Sequence, residues 1–598
     1  MAESTINTGQ PSVDTNPDAL LPDKEMLKLC LDRWTAARDW RANKESQWQK
    51  WYKLYRSYAE RKTWPHNVNL FIPLVWSTVE SFLPRLVVQK PTILVESRGD
   101  ENIDAAAFHR QLLEYQWQEL KIPKLIEEWE KEALIYGTGI VKVGWETKKM
   151  TRKFNSPTGE GGEVAEMIET DFVVKDRPFI SLVAIENFYP EPGSPDVVEA
   201  RFVIERSKKT FWELEALGKE LGWNMGVIKK LKDKQFTDTD VHGEDSAKLE
   251  RETTFGTSDS KMAKHEAKIW EFEVLEYWED GRYCIFLTDP EVVLKNDYNP
   301  FWHGNKPYLR IVDNALPGEF YGVGEPEVLQ SLAIELNALH NLRLENVERS
   351  VFQMFKVRIG APITQSMTKF KPQGIIWVNQ QDDIEPLFQG QPSIALSREE
   401  DGLRTWAQIA TGANDNFQGQ QADKTETATG ASILAQAAAS RVGMKFFQLA
   451  TAGLEPLGEM LIALNEQHMK PENAISIVGP EGQAHVKLGP AQLATGGALL
   501  SVKLDIGATD PINREMKLQK DMNLLSIFMQ LYGDPNHPAI QALIKRILDL
   551  GDIHIDEELL AVRPDPANVE ASGGQAGGQA PAEAGPSTRD ALGVDDGG

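Results

Sequence analysis

The stretch PEVLQSLAIELNALHNLRLENVERSVFQMF, from Pro326, constrains the chain more than any other. Leu329, Leu332, Leu336, Leu339, Arg343, Val347 and Val351 recur every three or four residues, the period of one helix face. Pro326 suits a first helical turn, where no backbone N–H is needed. The pattern predicts a helix of roughly 29 residues, about 43 Å long, which is long for a globular domain.

The segments after this helix come in an order that is just as unusual. FKVRIGAPI, GIIWVNQ and IEPLF are short β-like runs separated by Pro, Gly and polar residues. A second helix is expected over SREEDGLRTWAQIATGA, with Ser397 as N-cap and Glu400 completing a capping box. Then comes GANDNFQGQQADKTETATGAS from Gly412, small and polar with one aromatic, and so with little to bury. A long Ala- and Leu-rich helix is expected after it, with Pro456 able to kink it.

With 598 residues the chain exceeds what a single core can serve, so several packed units are expected. The composition, 41% hydrophobic and 26% charged, is that of a chain that mostly folds. Residues 1–22 read as a polar arm, and the Gly/Ala/Pro/Gln stretch after Arg563 as a tail unable to order itself. MLKLCLDRWTAARDWRANKESQWQKWYKLYRSYAERK alternates basic residues with aromatics. That mixture can stack on nucleic acid, but amphipathic helices packed on their neighbours are the favoured reading.

Pro73 and Pro84 are expected to bracket a short apolar helix in NLFIPLVWSTVESFLPRLVV, and FHRQLLEYQWQELKIPKLIEEWEKEALIYG reads as another helix. GTGIVKVGWE, ISLVAIENFYPEPG, EARFVIERSKK, KIWEFEVLEYWEDGRYCIFLTD and PYLRIVDN read as strands. Strands return over 474–508 and helix from about Asn513 to Leu560. The fold class is therefore α+β.

Few motifs carry chemistry. Tyr136-Gly-Thr-Gly139 and Tyr321-Gly-Val-Gly324 lack the Gly and Lys of a phosphate loop, so their glycines are assigned to tight turns. Asp238, Asp240 and Gly243 open like a calcium loop, but Leu249 stands where a bidentate Glu is required. Asp552, His554 and Asp556 would share one face of a strand and could seat a metal for a hydrolase, although a polar strand edge is the favoured reading. Cys30 and Cys284 are too few for a disulfide framework and lack zinc spacing. No cofactor or metal is called for. No secretory leader is read at the start, and no apolar run approaches the ~20 residues of a bilayer crossing, so no membrane partner is expected.

In the order of these parts, the chain resembles the portal proteins, or head-tail connectors, of tailed bacteriophages from about Asn69 to Leu560. NLFIPLVWSTVESFLPRL, IYGTGIVKVGWE, GVGEPEVLQSLAIELNALHNLRLENVE and ATGASILAQAAASR carry the likeness. The resemblance implies a non-enzymatic ring of twelve subunits at one capsid vertex of the virion, assembled in the bacterial host cytoplasm. Double-stranded DNA would be packaged and ejected through it. It also implies a wing (23–324 with 429–512), stem helices (325–355 and 397–412), a clip (356–396), a tunnel loop (413–428) and a crown (513–562). Gln418, Gln420, Gln421 and Lys424 of the loop would then lie nearest the DNA. Lys356, Arg358, Lys369 and Lys371 of the clip become candidate contacts for the terminase large subunit or for tail and adaptor proteins. Major capsid and scaffolding proteins are the other implied partners; a different head-tail structural protein is the alternative.

The charge suits such a conduit. At −25 per chain, twelve copies would carry about −300, and an acidic or neutral bore repels phosphate and lets a duplex slide. Twelve firm phosphate contacts would instead clamp it, with a salt slope of about −0.9 × 12.

Overall fold

Met26, Cys30, Trp34, Ala37, Arg41, Trp48, Trp51, Leu54 and Tyr55 lie on one stripe and are all buried in a single 33-residue helix, α1 (Asp23–Tyr55). Of the aromatics set among basic residues, Trp34, Trp48, Trp51 and Tyr55 are thus core residues, whereas Trp40 is exposed. Arg41 falls on the stripe because the two terminal nitrogens of its guanidinium find acceptors there: they donate to the carbonyls of Ile185 (3.0 Å), Glu186 (2.8 Å) and Phe188 (2.8 Å), and the group lies 3.5 Å from the Tyr189 ring centroid. A computed structural model of the chain describes residues 20–58, 69–87, 93–97, 103–155, 167–233, 271–351, 355–360, 380, 384–386, 394–413, 440–469, 475–478, 485–488, 493, 500–504, 511–532 and a few positions between 537 and 547.

In chain order α1 is followed by α2 (Leu74–Leu86), β1 (Ile93–Ser97), α3 (Ile103–Glu119), α4 (Ile122–Tyr136), β2 (Thr138–Asn155), β3 (Met167–Val183), β4 (Phe188–Pro190) and β5 (Phe202–Thr210). Next come α5 (Phe211–Leu221), α6 (Met225–Asp233), β6 (Glu271–Glu279), β7 (Arg282–Leu287), β8 (Val292–Tyr298), β9 (Tyr308–Val312) and α7 (Glu325–Val351). The rest are β10 (Phe355–Val357), β11 (Ile384–Pro386), α8 (Ile394–Thr411), α9 (Glu455–His468), β12 (Ile475–Val478), β13 (His485–Leu488), β14 (Leu500–Leu504) and α10 (Pro511–Tyr532). The chain divides into two compact units, Met1–Asn513 and Arg514–Gly598.

In the first unit, β4 to β8 form an antiparallel meander in sequence order, and β2 lies between β3 and β9 in a second sheet. Lys142 of β2 ties the sheets together: its side chain is half-buried, its ammonium 2.7 Å from Glu205 of β5 and 2.5 Å from Glu276 of β6, while the Tyr308 hydroxyl donates to Glu205 at 2.7 Å. The two carboxylates hold Lys142 above the ordinary lysine range against the cost of burial. β1 pairs with β14 from Ile93↔Leu504 to Ser97↔Leu500, so chain separated by some four hundred residues closes one small sheet. The main core gathers Trp48, Phe82, Trp129, Ile140, Tyr308 and Phe320 with Leu329 of α7 and Leu461 of α9.

Several expectations are corrected. The segment from Phe108 to Tyr136 is not one helix: Lys121 takes a left-handed conformation (φ 53°) and α4 restarts with Pro123 in its first turn. Pro84 lies inside α2, which runs on to Leu86; so near the C-terminal end its missing N–H costs a single bond. Ser397 is not an N-cap, because α8 begins at Ile394. A capping box does form at Thr210 and Glu213, opening α5, which with α6 and β8 went unread in the sequence. α7 is described over Glu325–Val351, in keeping with the expected helix of roughly 29 residues, and a strand starts at Phe355. Pro456 opens α9 directly after a π-helical turn over Leu449–Leu454, where the widened backbone accommodates its missing donor.

Candidate functional site

α7 starts from a backbone lock that only glycine allows. Gly137 ends α4 in a left-handed turn (φ 85°), and a Cβ there would overlap the Gly322 carbonyl. A Cβ on Gly324 would lie 2.8 Å from the Gly137 nitrogen, and one on Gly139 2.6 Å from the Trp129 carbonyl oxygen. The Gly322 N–H donates to the Thr138 hydroxyl at 3.0 Å. The two Tyr-Gly-X-Gly motifs, almost two hundred residues apart, are therefore two halves of one interlocked turn. It fixes where α7 leaves the sheet.

Beside this lock lies a buried charge cluster. Lys445, in the helical stretch 440–448, donates to Asp313, just after β9, and to Glu325, the first residue of α7, the latter at 2.9 Å. The ammonium also sits 5.3 Å from the Phe82 ring centroid. Glu130 of α4 is buried close enough to Asp313 and Lys445 to sense both charges. Burial, reinforced by the Asp313 carboxylate and opposed by Lys445, pushes Glu130 up to about 8. Burial also raises Asp313, with Glu325 adding to it and Lys445 pulling it back. Three carboxylates share one cation, and retaining a proton is how such a site limits its charge.

α7 and α8 pack side by side. Glu400 of α8 is buried and meets Arg343 of α7 at 2.7 Å, with the His340 ring 3.5 Å away. Leu329, Ala333 and Leu336 of α7 and Ala407 of α8 are buried, whereas Val328, Ile334 and Leu342 are exposed on the side of α7 turned away from that stripe. On α8, Trp406 is 63% and Ile409 57% exposed. The pair thus buries one face and leaves apolar residues of another in the open.

At the far end of the pair, β10 and β11 join antiparallel through Lys356↔Glu385. Lys356 is exposed and ion-paired to Glu385; Arg358, also exposed, donates to Gln380. Lys369, Lys371, Gln418, Gln420, Gln421 and Lys424 lie outside the described residues, as do Asp238, Asp240, Gly243, Leu249, Asp552, His554 and Asp556. Among the described residues no group of three or more His, Cys, Asp or Glu could hold a metal ion, and no helix is long and apolar enough to cross a membrane. Cys30 and Cys284 are both buried and free.

The residues that sequence reasoning passed over are Glu130, Asp313, Glu325 and Lys445. One signal was present: Lys445 interrupts the apolar run VGMKFFQLA, where only a paired cation can be buried. Its partners could not be read, since they lie 120 and 132 residues away.

No curated protein matches the chain. A family model described as Phage SU10 portal protein matches residues 163–574, more than two thirds of the sequence, and takes in β3 to β9, the α7–α8 pair with its β connection, α9 and α10. The chain belongs to the Phage SU10 portal protein family.

Proposed function

We propose that the chain is one subunit of a closed homo-oligomeric ring, twelve in number, at a single capsid vertex, through which double-stranded DNA is packaged and ejected. In this reading the protein is a structural component of the virion and carries out no catalysis itself. α7 and α8 are the stem, the β10–β11 connection the clip, residues 413–428 the tunnel loop and residues 513–562 the crown. Glycines at 412 and 419 and glutamines at 418, 420 and 421 suit a loop that touches a duplex without gripping it. The clip docks the terminase large subunit during filling and tail or adaptor proteins afterwards, with Lys356, Arg358, Lys369 and Lys371 as contacts. Capsid and scaffolding proteins surround the wing.

The observation that carries this reading is the exposed apolar set on the helix pair: Val328, Ile334, Leu342, Trp406 and Ile409. A subunit that closes a ring through heterologous contacts needs apolar faces left open on the single chain, and the helix pair offers them. Negative-stain imaging and light scattering of the purified chain test it. Top views with a central hole and a mass of many subunits are expected, and a solitary chain at high concentration would refute the ring.

A further inference from the structure

α10, in the second unit, has no single apolar face. Asp521 is buried and Leu525 and Phe528 are half-buried, and these three step by four and three along one side of the helix. Asn523, Ser526 and Gln530, on the opposite side, are polar and exposed. Between these sides run two further rows. Met522 and Met529, seven residues or about two turns apart, share one flank; Leu524, Ile527 and Leu531, stepping by three and four, share the other. The two rows stand roughly opposite one another about the axis, and all five side chains are between 41% and 70% exposed.

We propose that α10 is a stave in a wall of identical helices, its Met522/Met529 flank packed on the Leu524/Ile527/Leu531 flank of the next copy. A helix with apolar residues on opposed flanks needs cover on both. A two-fold dimer would cover one flank and leave the other bare, whereas a heterologous contact repeated around a closed assembly covers both. The occupant is a second copy of this chain. Each flank spans about ten residues, or about 15 Å, far too short to provide the roughly 800 Å² per partner of a free-standing contact. Only a partner also held elsewhere can sit there, and a neighbour joined through α7 and α8 is so held. The inference therefore rests on the proposed ring and specifies one of its contacts.

Cysteines placed on the flanks of the full-length chain, then treated with a short bis-maleimide and run on denaturing electrophoresis, test the arrangement. The buried Cys30 and Cys284 predict no linkage in the unsubstituted chain. The double variant Ile527→Cys/Met529→Cys is expected to move most of the protein into a ladder of three or more linked subunits, and Met529→Cys alone is expected to give almost none. The pair Met522→Cys/Leu524→Cys should repeat the ladder, which guards against one poorly folded variant. Efficient dimers from Met529→Cys alone would mean that the flank meets itself and would overturn the proposal. A ring-sized mass by light scattering with no ladder from either double variant would overturn it while sparing the ring, and a monomeric mass with no ladder would overturn both.

Discussion

The Lys445 ammonium lies 2.9 Å from a carboxylate oxygen of Glu325, the residue that opens α7, and both side chains are buried. One lysine thereby ties the stretch after the polar loop to the foot of the longest helix but one among the described residues. Replacing it with Met keeps the stem over the Phe82 ring and removes the charge, leaving Asp313 and Glu325 buried without their cation. Removing one partner of a buried pair costs about 3–5 kcal/mol. Lys445→Met should lower unfolding stability by about that much in denaturant titrations, and Lys445→Met/Glu325→Gln should recover part of the loss. A change below about 1 kcal/mol would show the cluster to be solvated.

The same cluster sets a pH dependence. Glu130 is held at about 8 when folded, against an ordinary value of 4.5, because burial and the Asp313 carboxylate disfavour its anion. The folded chain therefore binds a proton that the unfolded chain has released above pH 4.5, and the associated stability fades as pH rises towards 8. Between about pH 5 and 8 the wild type should lose on the order of 1 kcal/mol per pH unit relative to Glu130→Gln. Thermal unfolding of both proteins across that range measures the difference. Parallel curves would mean that Glu130 is ionised in the fold.

Glycine at 137 can be tested against an internal control. Gly137 (φ 85°) and Gly193 (φ 78°) share a left-handed backbone, yet nothing lies within 4 Å of a Cβ at 193, whereas one at 137 overlaps the Gly322 carbonyl. Gly193→Ala should cost about 1–2 kcal/mol, the left-handed penalty alone. Gly137→Ala should cost several times as much, since the α4 end and the α7 start must separate. Equal losses in denaturant titration would mean that the interlock gives way cheaply.

Legibility in the sequence tracked periodicity. α7, α8 and most strands of the first half announce themselves because their side chains repeat at 3.6 or 2 residues, a local property. The break at Lys121 was missed because Glu119 to Pro123 keeps the apolar rhythm while one φ angle reverses. The start of α8 was misplaced because Ser397 and Glu400 have the spacing of a capping box, whereas Glu400 is engaged by Arg343 across the helix pair. Long-range partners were illegible: the two Tyr-Gly-X-Gly motifs could be read as turns, but not as one turn. The residues expected nearest DNA, Gln418, Gln420, Gln421 and Lys424, lie outside the described residues.

The ring reading makes its sharpest demand at Ile334 and Trp406. Both side chains are more than half exposed on the subunit, so a charge at either meets only water in a solitary chain. Surface changes of that kind shift subunit stability by no more than about 0.5 kcal/mol. In a ring the same charge would be buried between neighbours, where a tryptophan anchor commonly contributes about 2 kcal/mol or more. Every contact around a closed assembly carries the substitution, so the loss multiplies with subunit number. Ile334→Asp and Trp406→Glu should therefore leave the circular dichroism and unfolding of the dissociated subunit unchanged, while light scattering finds the ring replaced by single chains at concentrations where the wild type is fully assembled. Rings that persist in both variants would mean that α7 and α8 face solvent in the assembly, and the contact would have to be sought on the sheets instead.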